Sequence, residues 1–427
     1  MRLLIRSAAR VVVITSKDVE TLTGSSMRQI EVLENDIAIA VDDQGIIAAI
    51  GRTNEVRSRW KDHEFKEIID ATGQCVIPGL IDAHTHPVWA GDRVHEFAMK
   101  LAGASYLEIH EAGAGIYFTV EKTRETSEEE LFESLKERLL KMLRAGTTTV
   151  EVKSGYGLDL EGELILLRVL ERARQCLPIE LSITYCGAHA VPIGKTSSQA
   201  TEDIIQKQIP TIKSLIEKGI LSIENIDVFC EEGVFNVEQS KIILTAGKAI
   251  GLNINFHGDE LNPMKSAEMG AQLGAVAISH LEEVTKEGIK AMGTSGTIAV
   301  LLPTTAYIMK LKAPPARDFI EEGVPIALGS DFNPNAHCFA MPLVMNYACI
   351  KFGISMEEAL VAATLNAAAS LGRGKTHGAI QVGRVGDFVI LNNQKWEHLI
   401  YQIGSHQDLI EYVVKRGEIV YKKATED

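Results

Sequence analysis

The chain lacks three things that mark large protein classes. Its six Cys (75, 176, 186, 230, 338 and 349) are scattered, with no CxxC pair and no dense framework. That spacing excludes a disulfide-stapled scaffold and fits reduced thiols in a cytoplasmic protein. No stretch approaches the roughly 18 consecutive apolar residues that a membrane helix needs. Basic residues are outnumbered, 43 Lys plus Arg against 57 Asp plus Glu, for a formal charge of −14. That balance argues against nucleic acid or an anionic membrane as partner. It still allows a small anionic substrate, because one well-placed Arg holds a carboxylate inside an acidic protein.

What is present is ordinary globular material. The 427 residues are 46% hydrophobic and 23% charged, which excludes intrinsic disorder and a fibrous fold. The length suits two or three domains of roughly 150 residues, or one α/β barrel of about 250 with an addition. The N-terminus has a basic look, but its apolar pieces are short and broken by Arg6 and Arg10. They read as strands and not as a targeting signal.

Residues 1–75 and 378–427 read as β and are expected to form one small composite β-sandwich. Asp36 to Gly51 pairs two apolar runs around an Asp-Gln-Gly turn, a hairpin signature. Residues 76–377 repeat a strand, loop and helix. Apolar runs begin near Cys75, Thr147, Glu180, Asn225, Gly251, Ala275, Thr297 and Pro325. Helical patterns follow them, among them Ser127–Ala145, Glu161–Cys176, Glu202–Lys218, Val237–Ile250 and Met356–Leu371. Eight such repeats predict an α/β fold, a (β/α)8 TIM barrel. Residues 88–126 form an insertion over its active face. Their Gly113-Ala-Gly115 run is either a lid or a surface loop, and it lacks the strand and helix context of a dinucleotide site.

In such barrels the site lies where strands end. The first strand ends in His84-Thr-His86, and residues two apart on a strand point the same way, so both imidazoles can hold one metal. Later strands end in Glu151-Val-Lys153, Cys186-Gly-Ala-His189, His257-Gly-Asp-Glu260, Ser279-His280-Leu-Glu282 and Ser330-Asp331-Phe-Asn333-Pro-Asn335. A lone strand-end His is usually just a hydrogen-bonded residue, and an Asp before Asn-Pro is usually a turn former. Convergence of several strands on one face makes the metal site the better reading.

These residues resemble the amidohydrolase superfamily. The likeness rests on Pro78-Gly-Leu-Ile-Asp82-Ala-His84-Thr-His86, on a later strand-end His and Asp, and on the terminal β segments with Val382-Gly-Arg-Val-Gly-Asp387. More specific pieces are Lys153-Ser-Gly-Tyr-Gly-Leu158, Ala188-His189-Ala-Val-Pro192, His257-Gly-Asp-Glu-Leu-Asn262 and Ser330-Asp-Phe-Asn-Pro334. They resemble the members that hydrolyse 4-imidazolone-5-propionate to N-formimino-L-glutamate in histidine degradation.

Binuclear members bridge their metals with a carboxylated Lys or a carboxylate at the end of the fourth strand. Here that strand offers no Lys, and Glu231 or Glu232 is left as a possible bridge. A single ion held by His84, His86, His257 and Asp331 is favoured, with Zn or Fe both open. Glu260 is the preferred proton shuttle, His280 the second candidate, and Asp331 both ligand and proton acceptor. Arg93, in the mouth loop, is the partner expected for the substrate carboxylate. The resemblance implies further substrate contacts from Tyr156, His189, Asn333 and Asn335, with Glu260 among them and His337 adjacent.

Two rivals stand beside this reading. A deaminase of the same architecture acting on a heterocyclic base needs the same metal but no carboxylate clamp, so Arg93 separates the two. A non-catalytic scaffold would show broken ligands, and none is missing here. A homodimer is expected from the habits of soluble enzymes.

Overall fold

Apolar runs within Leu3–Ile14 (β1), Glu31–Val41 (β2) and Ile47–Arg52 (β3) give antiparallel strands buried on both faces, Leu3, Ile5 and Ile39 on one and Leu4, Ala38 and Ala40 on the other. The computed structural model describes residues 1–103 and 115–424. Glu67–Asp70 (β4) and Cys75–Pro78 (β5) both pair in parallel with β1, against its first and second halves. Phe388–Leu391 (β14), Ile410–Lys415 (β15) and Glu418–Lys422 (β16) extend the sheet beyond β5. Both ends of the sequence thus share one core, with Leu3, Ile5, Val11, Ile39, Phe388 and Val414 inside it.

The run starting at Cys75 does not enter the barrel as one strand. Cys75–Pro78 belongs to the terminal sheet, and the barrel starts at Leu80–Asp82 (β6), across Gly79. A Cβ at Gly79 would sit 2.2 Å from the Thr148 hydroxyl, so the crossing needs a glycine. The other barrel strands are Thr147–Lys153 (β7), Glu180–Ala188 (β8), Asn225–Cys230 (β9), Asn253–Gly258 (β10), Ala277–His280 (β11), Ile298–Leu301 (β12) and Ile326–Leu328 (β13). They pair in parallel and in sequence order. The ring closes between β6 and β13 through Ala83 N–H to Leu328 O at 3.2 Å and Asp331 N–H to His84 O at 2.9 Å.

The helices lie near their expected places and differ where the chemistry of the backbone intervenes. Glu128–Arg144 is capped by Ser127, and Leu160–Cys176 by Asp159. The pattern read as Glu202–Lys218 begins earlier, at Ser197, and passes through a π-helical turn at Ile204–Gln208 just before Pro210. Proline lacks the N–H that a regular helix needs there, and the wider turn accommodates it. The Met356–Leu371 pattern breaks at Thr364 into Met356–Ala362 and Leu365–Ser370. In the 88–126 insertion, helices Val94–Leu101 and Ile116–Glu125 are described, while residues 113 and 114 of the Gly113–Gly115 run lie outside the described residues.

One carboxylate fastens the terminal sheet to the barrel. Glu180, opening β8, meets Arg373 at 2.8 Å, Lys415 at 3.0 Å, Arg416 at 3.1 Å and His377 at 3.2 Å. Among the described residues no helix is long and apolar enough to cross a membrane.

Candidate metal centre

Strand order dictates the centre. His84 and His86 follow β6, His257 lies in β10, and Asp331 follows β13, which is the neighbour of β6 around the ring. All four are buried. The three imidazoles offer ligand atoms within 4.8 Å of one another. His86 Nε2 and His257 Nε2 are 3.1 Å apart, and Asp331 Oδ1 lies 3.5 Å from His84 Nε2 and 3.7 Å from His86 Nε2. Ligands about 2.0–2.1 Å from one tetrahedral Zn²⁺ are separated by about 3.3 Å. The four side chains therefore fit a single ion.

Hydrogen bonding fixes which nitrogen faces inward. His84 Nδ1 is 2.8 Å from Ser279 Oγ, and His257 Nδ1 is 2.9 Å from Asp227 Oδ1. The Asp227 carboxylate holds the proton on Nδ1 of His257 and leaves its Nε2 lone pair for the centre, while the Ser279 hydroxyl holds the His84 ring with Nε2 inward. His84 Nε2 is buried with no hydrogen-bond partner, as a ligand atom awaiting a cation should be. Burial, followed by surrounding positive charge from Lys153 and neighbouring imidazoles, pushes the His84 imidazole well down, so it stays neutral.

Behind His257 lies a buried ionic chain. Lys153 Nζ sits 2.7 Å from Glu151 and 2.8 Å from Asp227. Cys186, Asp227 and His257 also lie within ligand reach of one another. The Lys153 ammonium already supplies the positive charge there, so this trio is support and not a second centre. The fourth-strand carboxylates stay outside as well. Glu231 is spent on the backbone of Leu261 and the amide of Asn262, and Glu232 is exposed.

The proposed proton carriers adjoin the centre. Glu260 Oε2 is 3.5 Å from His280 Nε2, and the His280 ring stacks on His257 at 5.2 Å. Burial, with Glu282 and Asp331 nearby, pushes the Glu260 carboxyl well up. Glu282 stands in a strand end that the sequence marks, but motif reading gives it no role. It is buried, 3.9 Å from His280 Nδ1, and burial pushes it up to about 8. Backbone strain marks the same strand ends, with positive φ at Asp259 (49°), His280 (76°), Leu281 (68°) and Asp331 (47°).

The remaining expected contacts divide into a wall, a clamp and a loop. His189 stacks on His86 at 4.5 Å and donates from Nδ1 to Gly155 O, 3.0 Å away. Buried Tyr156 lies against both rings. Arg93 lies close enough for its charge to act on the Tyr156 phenol, and Glu96 holds it. Asn333 spends its amide within its own loop, donating to Asp331 O and accepting from Asn335 N and Ala336 N. Asn335 accepts from Lys100, a residue that motif reading did not single out. His337 is exposed, packed edge-on to Phe332 and Trp89.

Comparison with known proteins places this fold in a family. The Amidohydrolase family model matches residues 75–420. A Homo sapiens protein named probable imidazolonepropionase is 57% identical over 420 residues, covering 98% of each chain. A Xenopus tropicalis protein of the same name is 58% identical, covering 99% of this chain and 97% of its own. Among solved structures, a zinc-bound adenosine deaminase from Xanthomonas campestris matches with TM-score 0.73 at 20% identity, covering 99% of this chain and 93% of its own. E. coli guanine deaminase matches with TM-score 0.70 at 15% identity, covering 99% of each, and at such identities the likeness is one of fold alone. The chain belongs to the amidohydrolase family, metal-centre hydrolases acting on C–N bonds. Within that family it belongs with the imidazolonepropionases.

Proposed function

We propose that the chain hydrolyses the ring amide of 4-imidazolone-5-propionate, taking up one water to give N-formimino-L-glutamate. The observation that carries this reading is the position of Arg93. A half-buried cation, held by Glu96, lies close enough for its charge to act on Tyr156 at the mouth of a His-rich centre. An anionic substrate would use the guanidinium edge that Glu96 leaves free, whereas a neutral heterocyclic base has no carboxylate to place there. The deaminase alternative is supported only by distant likeness of fold.

His84, His86, His257 and Asp331 would hold one Zn or Fe ion, which supplies Lewis acidity toward the carbonyl and a more acidic water. Glu260 accepts the proton of the attacking water and returns it to the ring nitrogen as the C–N bond breaks. Burial holds its carboxyl above the ordinary carboxylate range, which makes it a stronger base than an exposed Glu. His280, 3.5 Å away, stays neutral under burial and is available to hydrogen-bond the developing oxyanion. Tyr156 and His189 wall the ring, and Arg93 with Asn335 binds the propionate. Asn333 shapes that loop and keeps one amide hydrogen for the substrate. His337 stands at the rim as an outer contact. The test is turnover of the imidazolone with Glu260→Gln alongside the unmodified chain, since only the latter should form N-formiminoglutamate at an appreciable rate.

A further inference from the structure

We propose that Lys100 is a second cation of the carboxylate subsite, binding the propionate together with Arg93; this rests on the substrate reading above. Helix Val94–Leu101 leaves the mouth of the barrel directly after Arg93. Arg93, Glu96 and Lys100 are three and four residues apart, which on a helix places them on one face. Glu96 is buried, and its oxygens meet Arg93 Nε and Nη2 at 2.6 Å each, Lys100 Nζ at 2.6 Å and the backbone N–H of Gly115 at 2.9 Å.

Two cations on one carboxylate leave one net positive charge. That residue of charge persists in a chain carrying −14 overall, and one substrate carboxylate neutralises it. Glu96 also occupies the Nε–Nη2 edge of Arg93, so only the Nη1–Nη2 edge remains for a second carboxylate.

Lys100 does more than pair along its helix. Its ammonium also donates to Oδ1 of Asn335, on the loop that begins with Asp331. An i,i+4 pair stabilises a helix only slightly and requires no partner on a distant loop. With Oδ1 committed to a cation, the Asn335 amide can present only its NH₂, a donor, to whatever binds beside it. Lys100 is therefore joined to both groups that the substrate carboxylate is expected to meet, Arg93 through Glu96 and Asn335 directly. Its side chain is 27% exposed, which leaves room for an incoming oxygen.

The experiment is calorimetric titration of the metal-loaded chain with 3-(imidazol-4-yl)propionate and with the matching primary amide. The unmodified chain should prefer the carboxylate. Lys100→Met should weaken carboxylate binding by about tenfold or more, the worth of one charge-assisted hydrogen bond, and leave amide binding unchanged. Lys100→Arg should recover most of the loss, which separates charge from folding. Equal binding of both probes by the unmodified chain would count against the carboxylate-substrate reading itself. With that preference intact, Lys100→Met losing nothing, or losing both probes equally, would overturn the role of Lys100.

Discussion

Nδ1 of His257 lies 2.9 Å from one oxygen of Asp227, and the other oxygen lies 2.8 Å from the Lys153 ammonium. The contact fixes the tautomer and the aim of a proposed metal ligand from outside the centre. Asp227→Ala should therefore weaken metal binding by about 10–100-fold. Titration of the metal-free protein with Zn²⁺ checks this, and unchanged affinity would remove Asp227 from the account.

Gly155 tests how tightly the wall of the site is set. Its φ is +113°, and a Cβ there would sit 2.9 Å from His189 Nδ1 and 3.1 Å from the Cys186 carbonyl. Gly155→Ala should displace His189 and lower kcat/KM by at least about tenfold, given a strain of order 1–3 kcal/mol. The metal content should stay normal, because the ligand strands are not touched. Steady-state kinetics with metal analysis reads both.

Glu260→Gln removes the proposed proton carrier and keeps its shape. The expected loss in kcat is about 10²–10⁴-fold, with KM little changed. Glu282→Gln, one position further from the reacting atoms, should cost less and act through the placement of His280. Equal losses from the two variants would argue that Glu260 has no special part.

Glu96 gives a prediction with a sign. Burial raises its carboxyl, but Arg93 and then Lys100 outweigh that and hold it down at about 2, below its ordinary 4.5. A depressed folded pKa contributes stability that is present above about 4.5 and lost as pH falls toward 2. The gap in Tm between the unmodified chain and Glu96→Gln should be full above pH 4.5 and narrow below it. A gap that widened on acidification would contradict the ion-pair assignment.

Much of the fold and the heart of the site are legible in the sequence. Strand-end histidines and a strand-end aspartate declare themselves because parallel barrels gather their strand ends on one face, and the comparisons bear out the family and the fold. The supports are harder to see. Asp227 acts on His257 from the neighbouring strand and Ser279 reaches His84 from a strand elsewhere in the ring, so their roles depend on the barrel's assembly and not on local pattern. The signal available was a charged residue within the apolar run Ile226-Asp-Val228, which a solvent-facing strand position would equally explain. Gly79 divides one apolar run between two sheets for a steric reason that periodicity does not carry. Lys100 reaches Asn335 across 235 positions, a contact set by how the insertion packs over the barrel.

The central claim is metal-dependent opening of 4-imidazolone-5-propionate, and the most direct measurement is its turnover before and after chelation. Ultraviolet absorbance of the freshly prepared compound should fall as N-formiminoglutamate forms. Activity should vanish on removal of the metal and return on adding Zn²⁺ or Fe. A folded, metal-loaded chain that left this compound untouched would contradict the account at the level of substrate.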